Sequence, residues 1–194
     1  MAPLAFLCGN VFVGKLALER VETMLLDYDE FESPIGRIVF ASIADGVCGL
    51  GFEGYEKRWV PIFERRFGTF ELRHGRDPHG VKTILRKYFA GDLHVFDSVE
   101  VSLGGAPFQQ RVWKELRNIP AGETRTYGEL AKILRNPQAA RAVGHANAVN
   151  PVSLIVPCHR VIGTTSLTGY GGGLERKQWL LRHEGAQLAL AAWG

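Results

Sequence analysis

Residues 150–163 read NPVSLIVPCHRVIG. An apolar run, Val152 to Val156, stops at Pro157, and Cys158, His159 and Arg160 follow without a gap. A cysteine becomes a nucleophile when its surroundings favour the thiolate. Positive charge from a histidine and an arginine does so, and the histidine can also take the thiol proton. Pro157 restricts the backbone just ahead of the thiol, and the apolar run would bury the approach to it. The same tetrapeptide also fits a small buried cysteine flanked by surface charges. Successive side chains of an extended segment point apart, so direct Cys158–His159 contact does not follow, and a bridging water is the alternative. Cys8, Cys48 and Cys158 show no CxxC spacing, which argues against a structural zinc site. Three scattered cysteines do not make a disulfide framework, and they fit a reducing, cytosolic compartment.

Downstream, LTGYGGG sets Tyr170 among four glycines, whose freedom allows close backbone approach. A tyrosine there could close over a flat ligand. LERKQWLLRHEG then reads as a helix with Leu174, Trp179 and Leu180 as core. Glu184 at its end is either a solvated charge or the group that orients a histidine.

Upstream, SLGGAP (Ser102 to Pro107) marks a boundary. FQQRVWKELRNI carries Phe108, Val112 and Leu116 on one helical face. TYGELAKIL opens at Thr126 with Glu129 three residues on, a capping box. RNPQ breaks that helix, and AARAVGHANAV follows as another, ending near Val149. Two short helices joined by a tight turn, the second rich in small residues, suggest a helix-turn-helix. Small residues would serve tight helix–helix packing equally well.

The first half is mixed. Ile35 to Ser42 and Val47 to Phe52 read as a hairpin across ADG, with Cys48 a small core residue. A helix opens near Pro61. VKTILRKYFAGD is an amphipathic helix stopped by Gly91. LHVFDSVEV reads as one more strand. His74, His79 and His94 read as surface residues.

Charge separates the halves. Residues 1–104 hold 12 Lys and Arg against 15 Asp and Glu, or −3, and residues 105–194 hold 11 against 5, or +6. A basic second half suits contact with a polyanion, though a solvated charged face would look the same. No apolar run reaches the roughly 18 residues that span a membrane. The opening residues lack the basic start of a signal peptide.

Four segments, APFQQRVWKELRNIPAGETRTYGELA, RAVGHANAVNP, VPCHRVIG and GYGGGLERKQWLLRHEG, occur in this order and cover nearly all of residues 105–187. Together they resemble the O6-alkylguanine-DNA alkyltransferases, also called methylated-DNA–protein-cysteine methyltransferases. SPIG is the clearest matching piece of the first half. The resemblance implies an α+β fold. Residues 1–23 would be an extension, either an appendage or a start assigned too early, with Cys8 a stray thiol. Residues 24–103 would form a mixed N-terminal domain, RNase H-like, with a small antiparallel sheet and helices. Residues 104–190 would form a mainly helical winged helix-turn-helix catalytic domain.

The resemblance also implies the chemistry. The family binds duplex DNA through the minor groove, flips the alkylated guanine out of the stack and moves the alkyl group, once, onto a cysteine. Cys158 would be the acceptor. His159 would take its proton through a water, Glu184 would orient and charge that histidine, and Asn150 would hold the cysteine from a hinge before the active-site strand. Arg141 would fill the vacated stack, and Tyr127 would press on the phosphate 3′ to the target. Tyr170 and the backbone of Val161 and Gly171 would contact the guanine. O4-alkylthymine is a second expected substrate. No metal and no cofactor are expected, and the chain is expected to be a monomer, cytoplasmic or, in a eukaryote, nuclear. A family branch that binds lesions without transfer replaces the cysteine, which this chain keeps. An unrelated cysteine hydrolase would need an oxyanion site that nothing in the sequence suggests. One departure stands out. GTTSLTG, Gly163 to Gly169, is one residue shorter than usual and lacks the common glycine of that turn, which bears on substrate range and rate.

Overall fold

The computed structural model describes residues 23–187. The extension before Thr23, Cys8 within it, and the last residues of the C-terminal unit lie outside the described residues. Strands β1 (Met24–Ser33), β2 (Gly36–Ile43) and β3 (Gly46–Phe52) run antiparallel, and β4 (Phe70–His74) joins β1 in parallel, giving the order β3-β2-β1-β4. The expected purely antiparallel sheet is therefore mixed. Pro34 and Ile35 make the tight β1–β2 turn, pairing Ser33 with Gly36. Strands β2 and β3 are buried on both faces over most of their length, which is why they read as continuous apolar runs. Cys48 is among them, 1% exposed, and burial pushes its thiol up to about 12.

Helix α1 (Glu56–Phe67) lays Trp59 and Phe63 on the sheet. It begins five residues before Pro61, the position expected to open it, so the proline lies inside the helix. Its ring is exposed, and burial of the two aromatics offsets the backbone hydrogen bond that proline cannot make. Helix α2 (Val81–Phe89) follows its predicted stripe, with Val81, Leu85 and Tyr88 buried. LHVFDSVEV is not a strand. It forms turns, and only Val101 bridges to Val47.

The second half runs α3 (Pro107–Arg117), β5 (Arg125–Thr126), α4 (Tyr127–Ile133), α5 (Ala140–Ala148), β6 (Val161–Ile162) and α6 (Leu174–His183). The capping box of α4 forms as read. Thr126 accepts from Glu129 N at 3.2 Å, and the Glu129 carboxylate accepts from Thr126 N at 2.6 Å. The chain then turns through Arg135, whose φ is 56°, and a short 3-10 segment, Pro137–Ala139, into α5. Ala146 of α5 lies close under α3, where Trp113 Nε1 donates to its carbonyl at 2.9 Å. A larger side chain there would push the helices apart. On α6 the buried stripe is Lys177, Leu180 and Leu181. Leu174, expected in the core, is 48% exposed, because it is the first helical residue and faces outward.

The two halves share one apolar core. The edge of β3 binds the segment before the cysteine: Leu50 N donates to Pro151 O at 2.9 Å, and Ser153 N donates to Leu50 O at 2.7 Å. Val152, Leu154, Ile155 and Val156 are each no more than 2% exposed. Burying a side chain of this size is worth about 1.5–3 kcal/mol. Apart from the Val152 bridge to Leu50, the run is not regular strand. The expected active-site strand is instead an irregular segment clamped to the sheet edge.

Candidate active site

Cys158 is the first residue of a 3-10 turn, Cys158–Arg160, and is 8% exposed. The turn, rather than an extended segment, sets the directions of the three side chains. Asn150 grips the cysteine. Its Nδ2 donates to Val156 O at 2.8 Å and to Cys158 Sγ at 3.2 Å, and its Oδ1 accepts from Val152 N at 3.0 Å. Burial raises the Cys158 pKa, while the Asn150 amide, the Lys177 charge and the Ser153 hydroxyl work against that rise. The resting sulfur is thus a thiol near neutral pH, in surroundings that partly favour its anion.

His159 is fully buried. Its Nε2 lies 2.9 Å from Glu184 Oε1, and its Nδ1 has no partner among the described residues. Burial lowers the His159 pKa despite the attraction of Glu184. Burial thus favours the neutral imidazole at rest, and Glu184 pulls towards the charged form. Glu184 is held on all sides. Arg160 donates Nε to Oε2 at 2.8 Å and a terminal N–H to Oε1 at 2.9 Å, and Tyr88 donates its hydroxyl to Oε1 at 2.7 Å. Burial alone would raise the Glu184 carboxyl, but His159 and the Arg160 guanidinium together hold it well below the carboxylate range.

Lys177 is buried on the inner face of α6. Its ammonium donates to Val161 O and Leu167 O, each at 2.6 Å, and to Thr168 O at 3.0 Å. Burial lowers its pKa to about 8. These bonds, with Gly163 N donating to Ser166 O at 2.9 Å, tie down the short 163–169 loop.

A pocket of about 330 Å³ opens onto Sγ. Tyr127, Asn150, Cys158, Tyr170 and Gly171 line it, so it gathers five of the predicted site residues. The Tyr170 hydroxyl is buried with no partner among the described residues, and burial raises its pKa. Val161 does not line the pocket, and its carbonyl is bound by Lys177. His159 and Glu184 stand behind the cysteine. Arg141 is exposed on α5, outside the pocket wall.

The sequence reading missed several residues. Lys177 anchors the 163–169 loop, and Tyr88 comes from the first half to Glu184; Arg160, expected to lend its charge to the thiol, pairs with Glu184 instead. Tyr55 and Arg58, also from the first half, wall the pocket, and Arg58 donates to the Ala148 carbonyl. A Cβ on Gly171 would stand 2.2 Å from Tyr55 Oη, so any larger residue there would have to displace Tyr55 from the pocket wall. One signal was available. Lys177 falls on the same stripe as Leu180, Leu181 and Glu184, a core position for a cation.

Fold and site together define a protein organised around one buried, pocketed cysteine, with a buried histidine held by a carboxylate next to it in the chain. Residues 107–186 match the family model described as 6-O-methylguanine DNA methyltransferase, DNA binding domain. The methylated-DNA–protein-cysteine methyltransferase of Shigella flexneri is 50% identical over 137 residues, covering 69% of this chain and 80% of that protein. Its namesake in Methanosarcina acetivorans is 47% identical over 161 residues, covering 82% and 98%. The crystal structure of Mycobacterium tuberculosis OGT in complex with DNA superposes with a TM-score of 0.69 at 43% identity, over 82% of this chain and 92% of that one. The chain belongs to the methylated-DNA–protein-cysteine methyltransferase family. Among the described residues, no helix is long and apolar enough to cross a membrane.

Proposed function

We propose that the chain repairs DNA by moving the alkyl group of O6-alkylguanine, and of O4-alkylthymine, onto Cys158 in a single turnover. The observation that carries this is a buried thiol on a pocket wall, followed directly by a histidine whose Nδ1 has no partner among the described residues. A buried ionised carboxylate can only accept, so Nε2–H of His159 points to Glu184 and Nδ1 holds the free lone pair. A water between Nδ1 and Sγ carries the proton off the thiol. Sulfur then bonds the alkyl carbon, the carbon–O6 bond breaks, and the guanine leaves after taking a proton from a tyrosine hydroxyl. The imidazolium returns a proton to that tyrosine, which closes the balance. Glu184 steadies the imidazolium while it lasts, and Arg160 keeps Glu184 ionised. Asn150 aims the sulfur.

Duplex DNA approaches through its minor groove. The α4–turn–α5 unit serves as the helix-turn-helix of a winged domain, residues 104–190, and α5 enters the groove with small residues outward. Tyr127 presses on the phosphate 3′ to the target. Arg141, exposed near the start of α5, fills the stack after the base flips, offsetting an unstacking cost of a few kcal/mol. Tyr170 and the backbone of Gly171 and Val161 hold the guanine. The strand order β3-β2-β1-β4 with a parallel β4 supports an RNase H-like N-terminal domain, residues 24–103. The working form is a monomer in the cytoplasm. Lesion binding without transfer is not favoured, because Cys158 and its supports are intact.

Titrating the protein with duplex DNA bearing one O6-methylguanine tests this. Repaired lesions should level off at one per protein molecule. Continued turnover would rule out self-alkylation.

A further inference from the structure

We propose that Asn147 selects the alkyl group, and that the pocket favours O6-alkyl groups carrying a hydroxyl just beyond the reacting carbon. This rests on the alkyl-transfer reading of the same pocket. Asn147 sits in the last turn of α5 and lines the pocket with Cys158. Its side-chain oxygen and nitrogen are both buried, and neither has a partner among the described residues. An unpaired buried polar group costs about 1–3 kcal/mol, and an amide has two such groups. Gly144, one turn earlier and also on the wall, has no side chain to offer it.

The other polar walls are committed. Asn150 spends its amide on Val156 O, Sγ and Val152 N. Arg58 donates to the Ala148 carbonyl. Ser153 interacts with Tyr55 and Cys158. Among the described residues, the Tyr170 hydroxyl is the other buried polar side-chain atom of this wall without a partner, and the flipped base meets it. The carbon under attack must lie against Sγ, so its substituent has to rest on a neighbouring wall. Asn147 is tied to the residue that grips the sulfur, because Asn150 N donates to its carbonyl at 3.3 Å. A hydroxyl can donate to Oδ1 and accept from Nδ2, satisfying both atoms. A methyl in its place satisfies neither, and a carboxylate can use only Nδ2.

The test compares two isosteric lesions, O6-(2-hydroxyethyl)guanine and O6-propylguanine, in the same duplex. Single-turnover rates are normalised to O6-methylguanine in the same protein. The unmodified protein should favour the hydroxyethyl lesion by about tenfold, the worth of one net hydrogen bond at the upper end. In Asn147→Leu the preference should vanish or reverse. A merely structural residue would move both rates together and leave their ratio alone. Equal rates in the unmodified protein, or an unchanged ratio in the variant, overturn the proposal, and the first result does not depend on the variant folding. Methyl transfer without hydroxyethyl preference overturns this inference alone. No transfer from any lesion overturns the reading of the site as well.

Discussion

His159 Nε2 stands 2.9 Å from Glu184 Oε1, and the opposite ring nitrogen is buried with no partner among the described residues. One nitrogen is thereby fixed as the donor and the other is left as a base. Burial holds the imidazole neutral below the ordinary histidine value of 6.5. The transfer rate should therefore stay level as pH falls to that value, and drop only in stronger acid, when Nδ1 takes a proton. Above about pH 8, Lys177 loses its charge. That removes an influence favouring the thiolate and loosens the 163–169 loop, so the rate should decline. Single-turnover rates at saturating DNA check both limbs. A rate that climbs steadily through pH 9 would contradict this account.

Glu184 links the site to stability. A buried pair is costly to break, because the remaining charge is left unpaired, at about 3–5 kcal/mol. Glu184→Gln should lose stability on this scale in chemical unfolding, and Arg160→Met should do the same. Its folded pKa is depressed, so the stabilisation is present above the ordinary value of 4.5 and is lost as pH falls toward the folded value. The unmodified protein should weaken progressively in acid below that point. The Gln variant should lack this component.

Asn150→Ala should uncouple the cysteine from its seat. Three hydrogen bonds go, two of them to backbone groups in a buried segment. Each group left unpaired costs about 1–3 kcal/mol. The thiol also loses a contact that lowers its pKa. Alkylation of Cys158 by a small electrophile without DNA should slow, and melting should fall. Unchanged thiol reactivity would contradict the aiming role.

Arg141→Ala separates flipping from chemistry. The side chain is exposed and outside the pocket wall. Repair in duplex DNA should fall more than reaction with a free O6-alkylguanine base. Equal losses on both would count against a role in the stack.

The second half was more legible than the first, for a physical reason. The capping box at Thr126 and Glu129, the break at RNPQ and the buried run before Cys158 are local signals, written within a few residues. What was missed is mostly tertiary. Tyr55, Arg58 and Tyr88 reach the site only because the start of α1 and the end of α2 pack against the second half. No spacing in the sequence announces that. Strand β4 is short and mostly exposed, so it carried little apolar pattern. Strand β1 did carry one, since Leu26 and Tyr28 alternate inward, but the acidic residues between and after them obscured it. Pro61 misled because packing of Trp59 and Phe63 outweighs its helix-breaking tendency. The charge state of His159 could not be read from PCHR either, because it depends on how completely the ring is buried.

The most direct test is the intact mass of the protein after incubation with duplex DNA carrying one O6-methylguanine. The account predicts a gain of about 14 Da, methyl for hydrogen, at one group per molecule and mapped to Cys158. In Cys158→Ala the gain should be absent while DNA binding persists. No gain in the unmodified protein despite tight lesion binding, or a methyl group on another residue, would contradict it.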